Sequence, residues 1–305
     1  MSGQSQGALS QLCMDSVAPI DTSSEPYNFI SETLSAKYNL IDDGAQAIRG
    51  TREHREERAG LGLIDVSGSI IMHPTPDELD KLLTRIFGAA ESTDVFATAE
   101  TVPSFLVAID RIAKVHTYVT CYIDKAIFSG TKGKDIKLEL KIIGTSETEG
   151  AAASFPSLTF PTDKPYQFNQ GVLTLDGNTE LYNQFVLVID NHLEREFNNS
   201  ATATDIVAAD RTVAFACSTP YTSDETALYT TPGPGGPARG GLTGTNKLVF
   251  TNGGESTTFT MGNLKPMPAR APSVNGKRQI RLPLQYKSFG DGSRADISVT
   301  HDPVA

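Results

Sequence analysis

Thr75-Pro76-Asp77-Glu78-Leu79-Asp80-Lys81-Leu82-Leu83-Thr84-Arg85-Ile86-Phe87-Gly88 reads as a complete helix, and the chain on both sides of it reads as strands. Thr75 is placed to cap the first turn, Pro76 suits the first helical position, and Asp77 and Glu78 complement the positive end of the helix dipole. Gly88 can adopt the left-handed conformation that closes a helix. Leu79, Leu82, Leu83 and Ile86 then fall on one stripe, which predicts a helix lying on a sheet.

Working outward, Tyr27 to Ile41 and Leu61 to His73 alternate apolar with small or polar residues, as strands with one buried face do. Between them lies the charged run Arg49-Gly50-Thr51-Arg52-Glu53-His54-Arg55-Glu56-Glu57-Arg58, too polar to be covered by the chain's own core. Arg49, Arg52, Glu53, Arg55, Glu56, Glu57 and Arg58 are therefore expected to face solvent or a partner. Beyond the helix, Phe105 to Ile109, Thr117 to Ile127 and Ile136 to Ile143 read as further strands, with a turn at Ser129 to Lys134. The tract from Glu147 to Pro165, rich in Ala, Ser and Pro, reads as a linker. The first 26 residues show no period and predict a loose arm suited to subunit contacts.

The second half repeats the order. Strand runs at Phe185 to Ile189 and Thr212 to Cys217 precede a short capped helix predicted over Ser218 to Leu228, and strands follow at Leu248 to Phe250, Thr257 to Met261 and Ile280 to Tyr286. The recurrence has a spacing of about 140 to 150 residues. Asp77-Glu78 answers to Asp224-Glu225, and the turn feeding Ile136 to Leu140 answers to the one feeding Ile280 to Leu284. The expected organisation is an arm over 1–26, one β unit over 27–150, a linker over 151–168 and a second β unit over 169–305. The fold class is mainly β with α+β layering: two tandem barrels or sandwiches, each with a flanking helix. The Gly- and Pro-rich Thr231 to Pro237 predicts a mobile loop.

Bulk properties narrow the function. The 305 residues include 26 basic and 36 acidic side chains, for a net charge of -10, so no overall cation surplus exists to bind nucleic acid tightly. Cys13, Cys121 and Cys217 are odd in number and far apart, which argues against a disulfide framework or a zinc site and for free thiols in a reducing cytoplasm. The amino terminus lacks the features of a secretory signal, and no window approaches the roughly 20 apolar residues of a membrane span. GxSxG, HExxH and P-loop spacings are absent, and the five histidines are dispersed. Asp42-Asp43-Gly44 and Asp291-Gly292-Ser293 contain calcium-type ligands but fit turns better. The sequence thus predicts a non-enzyme with no cofactor, no metal site and no membrane contact.

Gly68-Ser69-Ile70 followed by the helix from Pro74, the run Val186-Leu187-Val188-Ile189-Asp190-Asn191, and the late Pro272-Ser273-Val274-Asn275-Gly276-Lys277 resemble tail tube (major tail) proteins of long-tailed bacteriophages. The likeness covers most of residues 25 to 302. It implies a structural subunit of the virion, made in the host cytoplasm, whose rings stack into a tube enclosing the channel for DNA ejection. Inner strands would join those of neighbours into the lumen wall, with the helix outside. In that family single-domain subunits form hexameric rings and two-domain subunits can form trimeric ones, so the internal repeat favours a trimer. Ring stacking would use Arg49 to Arg58 and the residues before Tyr27. Further implied partners are the tape measure protein and the tail terminator, while DNA passes through the lumen without specific binding. An acidic lumen would repel phosphate and let DNA pass. Competing readings are a capsid-decorating or baseplate protein and, with Trp absent, less readily a carbohydrate-binding β module.

Overall fold

The computed structural model describes residues 7–16, 18–42, 54, 56, 59–222, 228, 241–267, 274, 277 and 279–302. The strands of the first half are β1 (Gln11–Asp15), β2 (Glu25–Pro26), β3 (Ser31–Glu32), β4 (Ser35–Asp42), β5 (Ala59–Met72), β6 (Val95–Ala97), β7 (Phe105–Asp110), β8 (Lys114–Thr131), β9 (Lys137–Gly144) and β10 (Ser146–Ala151). Helix α1 (Pro76–Phe87) lies between β5 and β6. The second half supplies β11 (Gly171–Leu175), β12 (Asn178–Glu180), β13 (Gln184–Asp190), β14 (Leu193–Glu196), β15 (Asp205–Ala208), β16 (Thr212–Pro220), β17 (Asn246–Asn252), β18 (Glu255–Met261), β19 (Asn263–Pro266), β20 (Arg281–Phe289) and β21 (Ile297–Asp302).

Two sheets face each other as a sandwich. The large one runs β19-β20-β16-β13-β8, where it branches to β9-β5-β4 and to β7-β1-β2. The smaller runs β12-β11-β17-β18-β21-β6. Neither path closes on itself, so the fold is an open sandwich and not a barrel. Inner faces interdigitate through aromatic rings: Phe128 meets Phe259 at 4.9 Å between centroids, and Phe185 meets Phe250 at 5.6 Å. Such pairs add to the area they bury.

The hub is β8. It pairs with β13 from Thr131↔Gln184 to Lys125↔Asp190, so strands of the first and second halves of the chain join edge to edge in one continuous sheet. In the other direction β6, from the first half, completes the edge of the small sheet against β21.

Helix α1 forms as its sequence demands. Glu78 N–H donates to Thr75 Oγ1 at 3.3 Å, and Thr75 N–H donates back to Glu78 Oε2 at 3.1 Å, a reciprocal cap. Gly88 ends it at φ 91°, and a Cβ there would lie 2.3 Å from the Thr101 carbonyl oxygen. Leu79, Leu82, Leu83 and Ile86 are all buried. The same Glu78 accepts a hydrogen bond from Asn28 N–H, so the helix also fixes the chain entering β3.

Three segments differ from expectation. Residues 11–15, read as part of a loose arm, form β1 beside β7, with Leu12, Cys13 and Met14 fully buried. Leu12 and Met14 enter the main core while Cys13 enters a smaller cluster behind the sheet, so no alternation exists to betray the strand. Ser146–Ala151, read as the start of a linker, is β10 on β8, and the tract after it is strapped down by Phe155, Leu158 and Tyr166. Finally, Ser218 to Pro220, read as the start of a second helix, closes β16 against β20, and residues 223–227 lie outside the described residues. Ser and Thr serve a strand end as readily as a helix cap when the facing strand is present. Thr231 to Pro237, Asp43-Gly44, Asp224-Glu225 and Pro272-Ser273 with Asn275-Gly276 also lie outside the described residues.

Candidate assembly surface

Strands β4 and β5 leave the sandwich together as a ribbon. At its root Ala36 pairs with Val66 and Ser35 with Ser67, and β5 continues into the core beside β9. Gly68 lets β5 pass beneath the turn before β4, since a Cβ there would come within 2.6 Å of the Leu34 backbone. Farther out, among the described residues, the ribbon pairs with no further strand. Tyr38, Leu40 and Leu61 are 60 %, 65 % and 73 % exposed, and Ile41 and Leu63 are exposed as well.

The register assigns these side chains to two faces. Leu40 opposes Leu61, which shares its face with Leu63, while Tyr38 opposes Ile64 and Ile41 opposes Gly60 on the other face. Both faces are therefore apolar, contrary to the expectation of one buried face. Among the described residues β4 pairs only with β5, so its outer edge from Lys37 to Ile41 has no strand beside it.

Ionic and hydrogen-bonded groups clamp the root from both sides. Arg111 grips Glu32 through two bonds of 2.9 Å and donates to the Leu34 carbonyl at 2.6 Å. Glu147 of β10 accepts from Ala36 N–H at 2.9 Å and from Tyr118 Oη at 3.0 Å, and His116 Nδ1 lies 2.7 Å from it. Burial alone would raise the Glu147 carboxyl, but these three partners hold it below the usual glutamate range. Burial, in turn, pushes the Tyr118 hydroxyl up. On the β5 side Arg195 donates to the Val66 carbonyl at 2.7 Å and pairs with Asp65 at 3.0 Å.

Of the charged run expected to seek a partner, Arg49, Arg52, Glu53, Arg55, Glu57 and Arg58 lie outside the described residues, and Glu56 is exposed. His54 Nδ1 meets Asp42 Oδ2 at 2.5 Å beside the end of β4. The run thus connects the outer ends of the ribbon. The clamp residues Arg111, Glu147 and Arg195 carry no sequence signal, because each gains meaning only from a partner far along the chain.

Other polar signals resolve into structure. Asp291 Oδ1 accepts from Ser293 N–H, Ser293 Oγ and Arg294 N–H, which holds its carboxyl down to about 2 and makes it a turn former. Asn191 donates to the Ile86 and Ile123 carbonyls, tying the end of α1 to β8. Among the described residues no three His, Cys, Asp or Glu side chains converge, and no helix is long and apolar enough to cross a membrane.

The chain is an open β sandwich from which a clamped ribbon, apolar on both faces, extends. The family model for phage tail tube proteins matches residues 37–288, and the chain belongs to that family. Membership assigns it a structural role in the phage tail tube, as a virion component that self-assembles into that tube. Comparison with curated proteins returned no match.

Proposed function

We propose that this chain is the repeating, non-enzymatic subunit of the tube, assembling into rings that stack around the channel through which DNA is ejected. The observation that carries this reading is the β4–β5 ribbon. A ribbon apolar on both faces gains little by lying on its own sheet, whereas insertion between neighbours covers both sides. Burying each large apolar side chain contributes about 1.5–3 kcal/mol, so its exposed residues together favour association by several times that amount. Closure by rotation satisfies the free edges without open aggregation in the plane, and the ribbon with its charged tip then bridges from ring to ring.

Two β units fused through β8 and β13 make a trimer with pseudo-sixfold symmetry the preferred ring over a hexamer. The tape measure protein inside the tube and the tail terminator at its end are the further partners. Negative-stain electron microscopy of the purified protein tests the reading. Hollow tubes of uniform bore are expected, with rotational averages showing three subunits. A protein that stays monomeric at every concentration and salt condition contradicts it.

A further inference from the structure

We propose that Tyr166, Thr257 and His301 form a proton-reversible latch, which holds strand β21 and the strap over residues 155–166 on the sandwich and releases them on acidification. The β18–β21 ladder sets Thr257 opposite His301, and Thr257 Oγ1 lies 2.8 Å from His301 Nδ1 and 2.8 Å from Tyr166 Oη. All three residues are at most 1 % exposed. Tyr166 is itself fixed in the strap, where its N–H donates to the Pro74 carbonyl and its carbonyl accepts from Ile136 N–H, and His301 N–H donates to the Asp94 carbonyl. One hydroxyl therefore joins the strap, β18 and β21 inside the core.

Proton counting fixes the direction of this chain of bonds. With a neutral imidazole, Tyr166 O–H donates to Thr257 Oγ1, Thr257 O–H donates to His301 Nδ1, and every group is satisfied. A proton added at Nδ1 turns that atom into a donor, so Thr257 must turn its own proton towards Tyr166. The Tyr166 proton then has no acceptor, since among the described residues Thr257 is the hydrogen-bond partner of Tyr166 Oη and no other is present. A buried hydroxyl left unpaired costs free energy, and so does a buried charge. The other four histidines differ. Nδ1 of His54 and His116 meets a carboxylate, and Nδ1 of His73 and His192 meets a backbone carbonyl, acceptors that keep their bond when the ring is charged.

The surroundings of His301 pull both ways. Burial disfavours the imidazolium, while the carboxylates of Asp80 on α1, Glu91 after it, Asp77 on α1 and Asp302 on β21 favour it; burial prevails and holds the ring below its ordinary 6.5. Burial, aided by Glu255 of β18, pushes the Tyr166 hydroxyl up to about 12, so it keeps its proton throughout. An unfolded chain takes up the imidazole proton first as pH falls. The stability held by neutral His301 is therefore complete above 6.5 and is lost between 6.5 and the lower folded value.

The test follows the ring nitrogens of His301 by nitrogen NMR of the full-length protein, in solution or by magic-angle spinning of assemblies, together with amide hydrogen exchange, from about pH 8 to about pH 4. Near neutrality Nε2 is expected to carry the proton and Nδ1 none. As the ring charges, amides of β21 and of the strap should lose protection about tenfold, before those of β8, β13 and β16. In His301→Asn, whose side-chain oxygen can accept from Thr257 and whose charge cannot change, that acid-dependent loss should vanish. In Asp80→Asn, which removes a carboxylate favouring the charged ring, it should move to lower pH. A proton on Nδ1 at neutrality overturns the proposal, and so does acid release that persists unchanged in His301→Asn. Should that variant fail to fold, the wild-type tautomer decides alone.

Discussion

Leu79, Leu82, Leu83 and Ile86 of α1 are at most 2 % exposed, whereas Leu40 and Leu61 of the ribbon are 65 % and 73 % exposed, although both sets come from segments of regular apolar spacing. The helix stripe has the small sheet and β8 to lie on within its own chain. The ribbon extends past the end of β9, which among the described residues is its only neighbour in the sheet besides β3, and its outer leucines stay exposed. An apolar pattern therefore states that a surface is to be covered and leaves open by which molecule. Under the proposed function the difference separates folding from assembly: one set of residues stabilises the subunit, and the other would be covered by a second copy.

The sharpest way to break this contrast is to shorten a side chain on each side of it. Leu82→Ala is expected to destabilise the isolated subunit by about 2–5 kcal/mol in urea unfolding, since it removes contacts and leaves a cavity. Leu61→Ala should stay within about 0.5 kcal/mol of wild type in the same experiment, as exposed positions do. Similar costs at the two positions would erase the distinction.

A smaller effect is expected at the clamp. The Glu147 carboxyl sits below its ordinary range in the folded chain, so the stability it contributes is complete above the unfolded glutamate value and disappears as pH falls through the lowered folded value. Glu147→Gln should cost about 1.5–3 kcal/mol near neutrality, the range for hydrogen bonds to a charged group. It should also flatten the acid limb of a stability-against-pH curve. An unchanged acid limb would show that other carboxylates carry it.

The least change is expected from the thiols. Cys13, Cys121 and Cys217 are buried, and burial pushes each up to about 12. Labelling by a thiol reagent at neutral pH should proceed only on unfolding, because the thiolate is the reactive species. Rapid labelling of the native subunit would mean that β1, β8 or β16 opens readily.

How much of this was legible beforehand follows from range of interaction. Helix α1 could be read whole because Thr75, Glu78 and Gly88 act within a few residues of one another. The core strands β8, β9, β13 and β20 could be read because a half-buried strand alternates, and β7 because it is a short continuous apolar run. By contrast, β1 buries three successive residues against two different cores, so its five residues resemble an irregular apolar patch. The clamp of Glu147 on Ala36 spans 111 residues and that of Arg195 on Val66 spans 129, distances over which sequence spacing conveys nothing. The charged run from Arg49 to Arg58 was legible as polar chain between two strands, and most of it lies outside the described residues. The apolar ribbon beneath it was hidden, since exposed and buried strands share one alternation.

The central claim is that the β4–β5 ribbon joins copies of this chain, and sedimentation velocity on Leu40→Ser/Leu61→Ser beside the wild type tests it most directly. The wild type is expected to sediment as large assemblies, and the variant to melt at the wild-type temperature yet sediment at subunit size. A variant that assembles as the wild type does would contradict the account.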